Sequence, residues 1–404
     1  MVSRILLSTT VQWPSGARLA GAFAAAGAQV DALYPAGHVN AKSRFVSGHH
    51  IYNPLFPLPS LARAIEAASP DLIVPCDDRA VRQLLALYHR NPHSDAGSLI
   101  AFSLGRIESY PALFSRSSFI AAALSEGIAA PETIGVDDID TLELALVEIG
   151  FPAVLKSDGS WGGGGVVIAR TREQAHEAYR RLSSAPSRVR SIARTFRRKD
   201  THFLLDALSP PHALVSVQRF VAGAPATTSI ACWQGRVLAS IHMDVLETSH
   251  ATGPASVMRH VACPQMEDAA QRLAARFRLS GLHGLDFVRD AAGKAHLIET
   301  NPRATQSSAL ALGPGHDLVA ALAGCVSPSA RGARPLVTTN EVFALFPQEW
   351  RRDPSSAWLR TAHLDVPWDD PEVLKACLNP GEPAPELPKP DRAPAALPQA
   401  LTAD

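Results

Sequence analysis

A chain of 404 residues, 46% of them hydrophobic and 19% charged, holds enough apolar material for two or three packed domains. Lysine plus arginine balance aspartate plus glutamate at 38 each, so no net field draws the chain to nucleic acid or to an anionic membrane, and no apolar run reaches the roughly 18 residues that span a bilayer. The five cysteines (Cys76, Cys232, Cys263, Cys325, Cys377) are scattered and lack CxxC spacing, which fits a reducing cytoplasm rather than a disulfide framework.

The opening MVSRILLSTTVQW has too short an apolar core for a secretory signal and reads as a first strand, RILLSTT (4–10). An alanine-rich helix closed by glycine (16–28), a strand (28–35), a helix over 58–70 capped by Ser60 and a strand over 71–78 follow. This alternation predicts a parallel sheet covered by helices, whose ligands sit beyond the carboxyl ends of the strands. Those ends carry Ser8, Thr9, Thr10, Asp77 and Asp78, which read equally well as ligand contacts and as helix caps. A helix with a glycine stop (114–136) and a helix, Gly-Phe-Pro and strand (138–157) come next. Beyond them lie a strand (166–170), a capped helix (171–184), strands over 211–221, 227–233 and 236–245, a helix over 266–280 and a hairpin over 284–300. From about 381 the proline load and the lack of apolar period predict a disordered tail.

VLKSDGSWGGGGVVIAR (154–170) sets a lysine, one of only six in the chain, before four glycines. The GxxxxGK[ST] phosphate loop needs its lysine after the glycines, and both that loop and the GxGxxG fingerprint open a helix. Here a strand follows, so the pattern is a hairpin whose tip can fold over a ligand and offer backbone N–H groups to phosphate oxygens. A plain surface hairpin is the alternative.

GLDFVRDAAGKAHLIETNPR (284–303) is more specific. With a turn centred on Ala292–Gly293, Asp286 lies opposite Glu299, and Asn301 extends the same face. Two facing carboxylates repel unless a cation lies between them, and an Asp/Glu/Asn oxygen set suits Mg²⁺ (or Mn²⁺). Arg303 follows, placed to meet a phosphate or a developing charge. Solvated acids on a surface hairpin are the alternative.

In this order the two elements resemble the ATP-grasp superfamily of carboxylate–amine ligases, over roughly residues 1–325. The resemblance implies an α/β and α+β fold in which a Rossmann-like parallel-sheet domain (1–105) precedes a small lobe with a glycine-rich lid (106–217) and a large lobe with the Mg²⁺ site (218–328). An appendage (329–380) and the tail (381–404) complete the chain. It implies that Lys156 contacts the α- and β-phosphates of ATP, and that Ser160, Gly162, Gly163 and Gly164 belong to the lid. Gln218, Arg219, Phe220 and Val221 would hold adenine, largely through backbone groups. Asp286, Glu299 and Asn301 would ligate Mg²⁺, and Arg303 would serve phosphate and intermediate. Arg116 stands where many members carry a second phosphate-binding lysine, keeping the charge with a different geometry. An acid often found near the ribose is replaced by APATTS (224–229), leaving Thr227 or Thr228 for that contact.

The implied chemistry is formation of an acylphosphate from ATP and a carboxylate, then its capture by an amine. Small-molecule acid and amine substrates follow, with no membrane partner; a homodimer is compatible with the sequence. Arg259 is the candidate for the substrate carboxylate, with Ser256 and His260 beside it. Activation of bicarbonate or another small carboxylate is a second branch, although no biotin-attachment segment or glutaminase signature is present. A nucleotide- or nucleic-acid-binding protein without ligase turnover is the competing class. It rests on a basic run (Arg188, Arg190, Arg194, Arg197, Arg198, Lys199) that carries one aromatic residue, Phe196, in a chain of zero net charge.

Overall fold

A computed structural model describes residues 2–158, 165–184, 214–250, 253–327 and 332–378. Ser160, Gly162, Gly163, Gly164, the basic run at 188–199 and the tail from 381 lie outside the described residues.

The N-terminal layer is a four-stranded parallel sheet in the order β3-β2-β1-β4, from β1 (Arg4–Ser8), β2 (Gln29–Pro35), β3 (Gly48–Tyr52) and β4 (Leu72–Pro75). Its helices are α1 (Ser15–Ala25), α2 (Pro57–Ala68), α3 (Asp78–Arg90) and α4 (Asp95–Leu104). From β1 the strand order runs outward through β2 to β3, whereas β4 adds on β1's other side. The crevice between the ends of β1 and β4 is therefore a topological switch point. Asp77 caps α3 there through the Ala80 amide (2.9 Å) and accepts from both Thr9 Oγ1 and Thr10 Oγ1, so these three residues are structural. Ser60 is not the cap of α2. It lies inside the helix and donates back to the Phe56 carbonyl at 2.8 Å.

After α4 the chain passes through α5 (Tyr110–Phe114) and α6 (Arg116–Ser125) into a small lobe. This lobe is an antiparallel sheet of order β5-β8-β6-β7, from β5 (Thr133–Val136), β6 (Ala153–Ser157), β7 (Val166–Ala169) and β8 (Val215–Arg219). It is backed by α7 (Ile139–Ile149) and α8 (Arg172–Ser183). Leu142, Leu146 and Ile149 recur at helical spacing on α7 and meet Leu155 and Val217 of the sheet in a core containing only this lobe's residues.

The large lobe holds a seven-stranded sheet of order β13-β12-β9-β10-β11-β14-β15. Its strands are β9 (Ala224–Trp233), β10 (Arg236–Thr248), β11 (Ala255–His260), β12 (Gly281–Arg289), β13 (Ala295–Asn301), β14 (Val342–Leu345) and β15 (His363–Asp365). Two helices, α9 (Pro264–Phe277) and α10 (Leu318–Val326), pack on it. Residues beyond 329 thus add β14 and β15 to the edge of this sheet. The large lobe shares its core with the N-terminal layer: Leu6, Val81 and Leu84 cluster with Ile230, Leu285 and Leu297, and Ile5, Leu7 and Val74 with Ile241, Leu282 and Phe343. Among the described residues no helix is long and apolar enough to cross a membrane.

Candidate active site

The two lobes and the end of the parallel sheet enclose a cleft of about 660 Å³. Its lining is partly apolar, with Val154, Val166 and Ile168 of the small lobe and Phe220, Val221, Pro225 and Ile298, and partly charged. Lys156, on β6, is almost fully buried, with Nζ 4.0 Å from Glu299 Oε2. Burial lowers the pKa of its ammonium against the pull of Glu299.

Arg116 opens α6, where the Ser115 side chain caps the helix through the Ser118 amide. Its planar guanidinium reaches both lobes at once. Nε donates to Glu299 Oε2 (3.1 Å), while Nη1 donates to the Ser157 carbonyl (2.7 Å) and to Asp158 Oδ1 (3.1 Å). A lysine cannot span this set, because its donors leave a single nitrogen.

The hairpin of β12 and β13 carries the acids. Asp286 pairs with Glu299, Leu285 with Thr300 and Gly284 with Asn301, as the sequence predicts, but the route differs. Nearer the turn the partners are Phe287 with Leu297 and Arg289 with Ala295, because the connection spans Asp290–Lys294, with Asp290 and Lys294 paired through N–H and carbonyl at 3.0 Å. The register then shifts by one residue at Ile298, a β-bulge. Without it Glu299 would stand opposite Leu285, on the face away from Asp286. The buried Gln218 side chain donates to the Ile298 carbonyl at the bulge (3.4 Å) and to Thr133 Oγ1 (2.8 Å), tying the bulge to the small lobe.

Burial, and then the facing Glu299 carboxylate, push the Asp286 carboxyl up to about 6. For Glu299, burial opposes ionisation, but the Arg116 guanidinium and the Lys156 ammonium outweigh it and hold the carboxyl below the usual range. Asn301 Nδ2 donates to Asp286 Oδ2 (2.9 Å), and Asn301 Oδ1 accepts from Arg303 Nη2 (3.1 Å). The donor set fits a hard divalent cation: two carboxylates and an amide oxygen share one face, and burial beside Glu299 makes one carboxyl resist ionisation in spite of Arg303.

Arg303 leaves the strand toward the parallel sheet. Its Nε lies 3.5 Å from Asp78 Oδ1, and the neighbouring Ala304 amide donates to the Pro75 carbonyl (3.1 Å). Asp78 therefore enters the cleft from α3, as does Arg82 one turn later. Arg82 escaped the sequence reading because a charged residue on an amphipathic helix looks solvated; its place just after a switch-point strand was the available signal.

Other expected contacts fall elsewhere. Gln218, Arg219, Phe220 and Val221 line the cleft, but the Arg219 guanidinium turns away to the Ile149 and Glu148 carbonyls and to Glu132, leaving its backbone to the cleft. Thr227 lines the cleft opposite Asp286, whereas Thr228 is buried behind the sheet with its Oγ1 2.9 Å from His242 Nδ1. Arg259, Ser256 and His260 do not reach the cleft. Ser256 is fully buried and donates to Glu349 Oε2 (2.8 Å), Arg259 is exposed, and His260 packs edge-on against His316. Ala255 and Met258 of the same strand line the cleft in their place.

Residues 125–307 match the family model of the ATP-grasp domain. No curated protein matches the chain. Among solved structures, carboxyaminoimidazole ribonucleotide synthase from Aspergillus clavatus, complexed with ATP, is 13% identical with a TM-score of 0.58, over 80% of this chain and 77% of that one. Biotin carboxylase from Campylobacter jejuni is 12% identical with a TM-score of 0.59, over 85% and 74%. The biotin carboxylase domain dimer of Hydrogenobacter thermophilus 2-oxoglutarate carboxylase, in complex with MgADP, ADP and bicarbonate, is 14% identical with a TM-score of 0.58, over 83% and 71%. At these identities the likeness establishes the fold.

Proposed function

From the match of residues 125–307 to the ATP-grasp domain model, we propose that this chain is an ADP-forming ligase that activates a carboxylate as an acylphosphate and passes the acyl group to an amine. The observation that carries the reading is that Lys156, Arg116, Asp286, Glu299, Asn301 and Arg303 line one cleft together with apolar side chains and Gln218–Val221. The apolar lining suits a flat base; the charged groups suit a triphosphate.

In the proposed first step a substrate carboxylate oxygen attacks the γ-phosphorus of ATP, the β,γ-bridging P–O bond breaks, and ADP leaves. Lys156 and Arg116 would offset charge on the phosphate oxygens, and Arg303 would steer the carboxylate and the transferred group. Asp286, Glu299 and Asn301 would hold Mg²⁺, which when bound supplies charge neutralisation and orientation of the phosphates. In the second step a neutral amine attacks the acyl carbon, phosphate departs, and the amine proton is released. Positioning and charge carry the catalysis, with no strong base required. An amino acid or another small acid is the proposed donor.

A second reading, activation of bicarbonate, is supported by the bicarbonate named with the Hydrogenobacter thermophilus domain. The test is an ADP-release screen over pairs of amino acids and small acids, bicarbonate included, with mass detection of products. ADP formation that depends on an amine, and that Lys156→Ala and Glu299→Ala abolish, is expected. Tight ATP binding with no turnover across the panel would overturn the ligase reading.

A further inference from the structure

Among the described residues, Arg82 is a cleft-lining cation that the proposed reaction has not used. It lies on α3 beyond the end of β4, at the switch point where the parallel sheet offers its ligand crevice. Its guanidinium sits over the Phe114 ring, 3.9 Å from the centroid, so the plane of the fork is fixed while its edges stay open. Among the described residues it makes no hydrogen bond or ion pair.

That freedom is unexpected from local chemistry. Asp78 is the residue four positions earlier, and an Asp-to-Arg pair at that spacing ordinarily closes on a helix surface. Here Asp78 faces Arg303 instead, at 3.5 Å. The helix thus brings an acid and a base into the cleft and commits the acid to the large lobe; the base feels the Asp78 and Asp158 charges with no hydrogen bond or ion pair to either among the described residues.

Of the cleft's other cationic residues, Arg219 turns its guanidinium away and three have assignments. Lys156 and Arg116 lie beside the metal-type carboxylates, where the phosphates would sit, and Arg303 lies beside Asn301, at the reacting carboxylate. A fourth cation calls for a fourth anionic group, one that belongs neither to the nucleotide nor to the acid being activated. In an amide-forming reaction the remaining partner is the amine, and an amino acid or peptide brings a carboxylate that survives into the product.

We infer that Arg82 reads the carboxylate of the amine-bearing substrate, so that this substrate is an amino acid or a peptide with a free carboxyl terminus, not ammonia or a simple amine. The inference rests on the ligase reading and adds the substrate class. The fork over Phe114 matches a carboxylate in two-point geometry, which a lysine at the same place cannot reproduce.

The full chain is assayed for ADP release with MgATP and an acid donor against a panel of amino acids. Each is paired with its carboxamide and its decarboxylated amine. Wild-type protein is expected to prefer the free carboxylate by 10- to 100-fold in kcat/KM. Arg82→Ala should collapse that ratio to within about threefold by raising KM for the amino acid, and Arg82→Lys should fall between. Because Arg82 is exposed on a helix, both variants should fold; circular dichroism checks it, and the ratio within one variant is independent of its active fraction. A wild type indifferent to the carboxylate, or an Arg82→Ala protein that keeps the preference, overturns this inference and leaves the ligase reading standing. No amine-dependent ADP release from wild type overturns both.

Discussion

Replacing Asp286 with asparagine should make the nucleotide-free protein more stable. Asp286 faces Glu299 across the hairpin, and burial together with that neighbour raises its carboxyl from 3.8 to about 6. An acid that the folded state protonates more readily than the unfolded chain loses stability for the fold as pH rises. The loss begins near pH 4 and is complete above the folded value. A displacement of about two pH units corresponds to about 3 kcal/mol, borne by the wild type at pH 8 and absent near pH 4. The Asn side chain has nearly the same shape, can still accept from Asn301 Nδ2, and carries no charge. The expected gain for D286N is therefore about 2–3 kcal/mol at pH 8, shrinking to less than 1 kcal/mol at pH 4. The assay is urea unfolding of both proteins at the two pH values, in EDTA and without nucleotide. Metal-dependent ATP turnover should fall by at least 100-fold in the same variant. A D286N protein less stable than wild type at pH 8, or a gap that does not change with pH, would refute the reasoning.

Three further outcomes are expected. A Cβ at Gly223, between β8 and β9, would stand 2.1 Å from the Arg289 carbonyl oxygen, a backbone atom, so Gly223→Ala should cost about 1–3 kcal/mol in urea unfolding and weaken ATP binding measured by calorimetry. Hydrogen bonding to His242 holds the Glu267 carboxyl at about 2, and this stabilisation is present above about pH 4.5 and lost as pH falls toward 2. Glu267→Gln should therefore cost about 1–2 kcal/mol at pH 7, discounted for partial exposure, with no difference near pH 2. Ser256→Ala removes a donor from the buried Glu349 and should cost about 1–2 kcal/mol while leaving KM for every substrate unchanged; a raised KM would return Ser256 to the site.

Local chemistry was legible in the sequence and long-range pairing was not. Lys156 before its glycines and Asp286, Glu299 and Asn301 at their spacing stand at one site because the lysine's strand and the hairpin each follow from alternation within a few residues. The hairpin register was reached through compensating differences. A turn that shifts the pairing register by one residue and a bulge at Ile298 cancel, and an isoleucine carries no bulge signature of the kind a glycine would. Ser256 and His260 of β11 are taken up by partners distant in sequence, Glu349 (93 residues beyond Ser256) and His316, which the local alternation does not reveal. The β3 strand escaped because GHHIY is short and lacks the apolar run of its neighbours.

The shared cores of the N-terminal layer and the large lobe have a mechanical consequence. Asp78, Arg82, Asp286 and Arg303 ride on one continuous block, stitched at Ala304–Pro75, while Lys156 rides on a lobe that packs its own interior. Opening or closing the jaw changes the distances from Lys156 to all of them and leaves their spacing to one another intact. In the proposed reaction the Lys156 contact to phosphate thereby sits on a different body from the metal-binding carboxylates and Arg82. Hydrogen exchange should follow the division, with nucleotide slowing exchange in β6 and β7 far more than in β4 and α3.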